Sequence, residues 1–162
     1  MPHPHILVSV KLMDRRYHIS GNNFCSFCTI LILYNLIMTL NNNTHNLSIG
    51  HCNIQGGFTG ISKSTQVSQL ISKYELDILS LNETNLNSTI DTSSLNIHPN
   101  YTFLRADRGT GTRGGCGILI SNKCAFVPVT INTDVNHIIE AKWIKIKNCN
   151  IYVCGFYRSI GF

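Results

Sequence analysis

The sequence predicts an α/β domain, on three observations. Two apolar stretches, residues 47–52 and residues 76–81, flank one amphipathic stretch. A strand, helix, strand order of this length sets the two strands side by side with their C-terminal ends on one edge, where α/β sheets bind ligands. Each of those strands also ends in a side chain with metal-binding chemistry, the amide of Asn53 and the carboxylate of Glu83.

The elements run in order along the chain. Val67, Leu70, Ile71 and Tyr74 fall at i, i+3, i+4 and i+7, which predicts a helix over residues 63–75 with Ser62 as its N-cap. Residues 76–81 then read as a buried strand. Residues 85–99, rich in Asn, Ser and Thr, read as loop with a short helical turn. Residues 101–107, 117–121, 125–131, 138–147 and 149–157 read as further strands, several joined closely enough to be antiparallel neighbours. Between the first two of these, residues 109–117 carry five glycines and form a flexible turn bearing Arg113.

Residues 1–45 differ from the rest. Lys11, Arg15 and Arg16 precede an apolar run over residues 24–40, about seventeen residues and at the short edge of a bilayer span. The run reads either as a signal anchor that inserts in a membrane or as an unrelated leader that forms a loose helix. The expected organisation is a leader over 1–45 and one domain over 46–162.

A chain of 162 residues suits one domain with a real core. Charged residues are 13% of it, below the usual quarter or so, so amides and hydroxyls solvate the surface. The net charge of +5 is concentrated late, in Arg105, Arg108, Arg113, Lys123, Lys142, Lys145, Lys147 and Arg158. A basic second half suits a polyanion such as a nucleic acid or a phosphorylated substrate. For Lys142, Lys145 and Lys147 a solvated strand face is the simpler reading. Seven cysteines show no paired framework, and Cys25 with Cys28 is a lone C-x-x-C, a weak zinc or redox signal. Most of the others sit in predicted strands as small apolar residues, so a reducing, intracellular setting, nuclear or cytoplasmic, is expected. The sequence holds no P-loop, dinucleotide fingerprint or nucleophile elbow.

Glu83 leads the candidate residues, because an acid ending an apolar strand needs a cation, metal or basic side chain, to offset its burial. Asn53 alone is more often a turn residue. Tyr157 and Arg158 end the last strand with a phenol and a guanidinium suited to phosphate. Arg105, Asp107 and Arg108, before the glycine turn, form either a lip that faces nucleic acid or an exposed hairpin.

Taken together and in order, Asn53 in HCNIQGG, Glu83 in DILSLNET, the segment YTFLRADRGTGTRGGCGILIS and the ending IYVCGFYRS resemble the endonuclease/exonuclease/phosphatase superfamily. Within it, residues 46–162 look most like the N-terminal endonuclease domain of non-LTR (LINE-type, jockey-like) retrotransposon polyproteins. Cys116 departs from the third glycine common in relatives, at a junction where little effect is expected. The resemblance implies a four-layer α/β sandwich, Mg²⁺ or Mn²⁺ held by Glu83 with Asn53, a scissile phosphate hydrogen-bonded by Tyr157, substrate contacts from Arg105, Arg108, Arg113 and Arg158, and DNA as partner. Its members nick DNA to leave a 3′-hydroxyl.

The family's later Gly-Asp-x-Asn and Ser-Asp-His segments have no counterpart up to Phe162. General-base catalysis alone is worth about 10²- to 10⁴-fold. The chain is therefore expected to be the N-terminal half of such a domain, to bind metal poorly, to leave DNA uncut and to lack the second sheet of the sandwich. Alternative readings are a lipid or inositol phosphate phosphoesterase of the same fold, or a non-catalytic nucleic-acid-binding module.

Overall fold

The computed structural model describes residues 5–13, 31–40, 43–58, 61–109, 113–131, 139–147 and 151–158, with residues before 46 and residue 61 described through the backbone. The elements run β1 (His5–Met13), β2 (Leu31–Leu40), β3 (Asn43–Asn53), α1 (Ile61–Tyr74), β4 (Ile78–Asn82), a 3-10 turn (Thr92–Leu95), β5 (Tyr101–Ala106), β6 (Cys116–Ser121), β7 (Phe126–Val129), β8 (Ile139–Ile146) and β9 (Ile151–Arg158). They form a six-stranded sheet in the order β1-β2-β3-β4-β6-β5 and a three-stranded sheet β7-β8-β9. Strands dominate and one α-helix is present among the described residues, so the architecture is two sheets with a helix rather than a repeated βα pattern.

Within the larger sheet only β3 and β4 pair in parallel, with Asn53 opposite Asn82; every other pairing is antiparallel. Helix α1 makes that crossover. Val67 and Ile71 are buried, with Leu70 and Tyr74 packed partly buried beside them, so the helical stripe meets the sheet through Cys52, Leu79, Leu81 and Leu119. The helix stops at Glu75, which adopts a left-handed φ of 48°, while the Leu76 amide reaches back to the Ile71 carbonyl at 3.1 Å. That six-to-one bond closes a Schellman-type C-cap. Ser62 lies inside the first turn instead of capping it, because the helix begins one residue earlier, at Ile61; its hydroxyl accepts from Gln66 Nε2 at 3.3 Å.

The expectation of a missing second sheet is overturned. Ile144 and Ile146 of β8 pack with Ile78, Ile118 and Ile120 from the opposite face of the large sheet. Both faces of β4 and β6 are therefore covered, which explains why Ile-Leu-Ser-Leu and Cys-Gly-Ile-Leu-Ile-Ser are buried at nearly every position instead of alternating. Burial of each Ile and Leu side chain among them contributes roughly 1.5–3 kcal/mol. Cys116 does more than its position at a turn suggests: its Sγ–H reaches the carbonyls of Glu140 and Gly155, both at 3.2 Å, and so ties the large sheet to β8 and β9.

The described part of the apolar run, Leu31–Leu40, is strand β2, not the helix expected of it. It pairs with β1 on one side and β3 on the other, and β3 runs through residues 45 and 46 without interruption. No helix among the described residues is long and apolar enough to cross a membrane. Residues 24–30 of the run, the Cys25 and Cys28 pair, residues 110–112 of the glycine turn, Cys149 and Ser159 lie outside the described residues.

Truncating Ile144 to Ala removes a side chain with no exposed area at the interface of the sheets. Urea denaturation of the full chain is expected to show a loss of about 2–5 kcal/mol. A loss under about 1 kcal/mol would mean that the small sheet is not packed on the large one.

Candidate functional site

The parallel pairing of β3 and β4 brings Asn53 and Glu83 into contact. Asn53 Nδ2 donates to Glu83 Oε1 at 2.9 Å, while Asn53 Oδ1 accepts the Gln55 amide at 2.9 Å. One amide thus caps its own turn and holds the carboxylate. Glu83 sits at a left-handed φ of 57°, a region that disfavours non-glycine residues by about 1–2 kcal/mol. Gln55 and Asn85 are also left-handed, at 33° and 50°. Such strain gathers where surrounding structure over-determines the backbone.

Those surroundings are explicit. The Ile54 amide donates to the Asn82 carbonyl at 3.1 Å and the Phe58 amide to the Thr84 carbonyl at 3.0 Å. Buried Lys63, from the first turn of α1, donates to the carbonyls of Ile54 and Gln55 at 2.8 and 3.1 Å. Gly57, at φ 74°, leaves room that a Cβ would fill, since that atom would lie 2.4 Å from Asn85 Cβ. On the other side the Asn85 amide donates to the Gly114 carbonyl at 2.8 Å, the Gly114 amide to Asn85 Oδ1 at 2.9 Å and the Thr84 amide to the Gly115 carbonyl at 3.3 Å.

Through that hairpin Tyr157 approaches the same end of the molecule. Its ring lies against Gly114, where an added Cβ would sit 3.2 Å from Cε1. Tyr157 pairs with Glu140 across β8 and β9. Arg158, the next residue, is exposed and points to the opposite face of the small sheet, because side chains alternate along a strand. The structure therefore separates Tyr157 from Arg158; it joins Asn53 to Glu83 directly, and it joins Asn85 to Gly114, against which the Tyr157 ring lies.

Arg105 has another occupation. Its guanidinium pairs with Asp107 at 2.5–3.1 Å and donates to the Ile90 carbonyl at 2.7 Å, to Thr92 Oγ1 at 3.3 Å and to the Asn87 carbonyl. It anchors the loop over residues 87–92 to β5. Arg108 donates to the Arg113 carbonyl at 2.8 Å and stands 3.9 Å from Glu140 Oε1, and the Arg113 side chain is exposed.

Glu140, Lys63 and Asn85 escape a reading of the sequence alone. Glu140, at the start of β8, carries the same signal as Glu83, an acid in an apolar strand. Its residue is 8% exposed, and burial pushes its carboxyl above the usual range, with Arg108 and backbone hydrogen bonds from its own amide and Gly115 opposing the shift. Burial, with Cys154 and Glu140 nearby, pushes the Cys116 thiol up to about 12, so it acts as a donor and not as a nucleophile. His51, beside Ser80 at 3.4 Å, is lowered by burial.

Fit to a divalent cation turns on the donor set. Glu83 supplies one carboxylate and Asn53 an amide already engaged with Gln55, and among the described residues no three His, Cys, Asp or Glu side chains gather. Oδ1 of Asn82, the residue before Glu83, is buried without a hydrogen-bond partner. One carboxylate is a thin donor set, so an ion held here would have to keep most of its own water, as Mg²⁺ does, since no closed cage is formed among the described residues.

Two outcomes are expected. Glu83→Gly should exceed Glu83→Ala in stability by about 0.5–1 kcal/mol in urea titrations, since both lack the carboxylate and only alanine keeps the left-handed strain; equal stabilities would contradict the strain. For Glu140 the folded-state value is raised, so its contribution is complete below the ordinary carboxyl value of 4.5 and is lost as pH rises through the folded value. The stability of Glu140→Gln relative to the parent chain should therefore climb with pH over that window, and a falling difference would show the carboxylate form to be favoured.

No protein-family model matches the chain, and no curated protein matches it.

Proposed function

We propose that residues 46–162 are half of a metal-dependent phosphodiesterase domain of the four-layer α/β sandwich type, most like a retrotransposon DNA endonuclease, and that this chain does not itself turn over. The observation that carries the reading is the 2.9 Å contact between Asn53 and Glu83 at the ends of adjacent parallel strands. A strained carboxylate aimed by a neighbouring amide, beside a glycine hairpin that seats a tyrosine, supports the reading of a site for phosphate and a cation. An ordinary capping glutamate needs neither the strain nor the amide.

In this reading Glu83 holds Mg²⁺ or Mn²⁺, with Asn53 fixing the carboxylate and blocking its rotation. Held by Glu83, such an ion would supply Lewis-acid polarisation of a phosphoryl oxygen and a more acidic water. Tyr157 donates a hydrogen bond from its phenol to a phosphate oxygen, and Gly114 permits the ring to lie close against the hairpin. Glu140 and Arg108 hold that hairpin from behind. The tie to β8 leaves the guanidinium of Arg108 beside the same hairpin, where it adds positive potential for DNA. The reading assigns this chain binding without turnover.

A supercoiled-plasmid assay with Mg²⁺ or Mn²⁺ is expected to show no nicking above background. Nicking that disappears in Glu83→Ala would overturn the claim of inactivity while supporting the assigned metal ligand. Calorimetric titration with Mn²⁺ is expected to give weak binding that Glu83→Ala removes, and binding unchanged by that substitution would end the reading.

A further inference from the structure

The outer face of the small sheet is exposed, aromatic and cationic. Register and alternation place Trp143, Lys145, Tyr152, Phe156 and Arg158 on it, with Trp143 opposite Cys154 and Lys145 opposite Tyr152. Phe156 is 59% exposed and Tyr152 51%, values unusual for large apolar rings. Along β9 these two rings flank Cys154, the outward position between them, and stand about 13 Å apart at the usual rise of a strand. Trp143, on the neighbouring strand, fills the interval. Lys145 Nζ sits 5.4 Å from the centre of the Tyr152 ring, which places a cation beside a stacking surface. Among the described residues of β7, β8 and β9 the one carboxylate, Glu140, is buried on the inner face, so the outer face carries positive charge alone.

We propose that this face is a stacking platform for single-stranded nucleic acid. The charge selects a polyanion, and spaced, upright rings select one whose planar groups are free to stack. A duplex hides those groups in its own stack, and a purely apolar protein partner would leave Lys145 and Arg158 without counter-charge. The platform lies on the opposite side of the small sheet from Glu83 and its test needs no metal, so a failure of this proposal and a failure of the assigned metal ligand are read by different experiments.

Trp143 is the single tryptophan of the chain, so its fluorescence reports on this face directly. The test is titration of the full chain with a short oligothymidine in EDTA, following quenching of Trp143, with the matching duplex as competitor. Quenching is expected, weaker for duplex by about tenfold or more, since base–aromatic stacking is open only to the single strand. The log–log salt slope should be near −1.4, because two phosphates are neutralised at roughly −0.7 each on a single strand. Phe156→Leu and Tyr152→Leu keep apolar area but lose the π-face; with unchanged circular dichroism, each should weaken binding on the order of tenfold. The proposal is overturned by absent quenching, by equal affinity for duplex, by full affinity in both leucine variants, or by self-association through this face that the oligonucleotide does not displace.

Discussion

One parallel strand pair in an otherwise antiparallel sheet sets everything else. Antiparallel neighbours present opposite ends at a given edge, whereas β3 and β4 end together because α1 carries the chain back between them. That places Asn53 and Glu83, thirty residues apart in sequence, within a hydrogen bond of one another. The crossover in turn depends on the stripe from Val67 to Tyr74, which keeps the helix on the sheet face opposite β8 and β9. Lose the stripe and the contact goes with it.

Rigidity around that contact comes from both sides. Lys63 and Gly57 fix the turn after β3, while the Asn85 and Gly114 ladder fixes the segment after β4. Between them Glu83 is held in a backbone conformation it would not choose, which is how a loop side chain acquires a defined direction. The small sheet completes the arrangement: Cys116 links it to the large sheet, and Glu140 sits inside with its carboxyl raised by burial. The acid, the hairpin and Tyr157 form one connected support for the end of β4.

Much of this is legible in the chain. The helix, the strand before Glu83, the loop with its short helical turn and the strands after residue 100 are readable because period and turn chemistry are local properties. The features that escape are long-range or ambiguous. A short apolar run such as residues 31–40 has no period that separates strand from helix, so β2 reads equally well as helical. Nothing local announces that β7, β8 and β9 fold back as a second sheet, since that depends on Ile144 and Ile146 finding Ile118 and Ile120. Adjacency groups Tyr157 with Arg158, although strand alternation sends them to opposite faces. Arg105 looks free in the sequence because its partners, the carbonyls of Asn87 and Ile90, belong to a loop whose path no pattern fixes.

Whether Asn53 and Glu83 share a cation is read by paramagnetic broadening of backbone amide resonances by Mn²⁺ in the full chain. Broadening is expected to centre on residues 53–55 and 83–85, to reach the Gly114 hairpin and to vanish in Glu83→Ala. Broadening centred elsewhere, or unchanged in that variant, would contradict a shared cation.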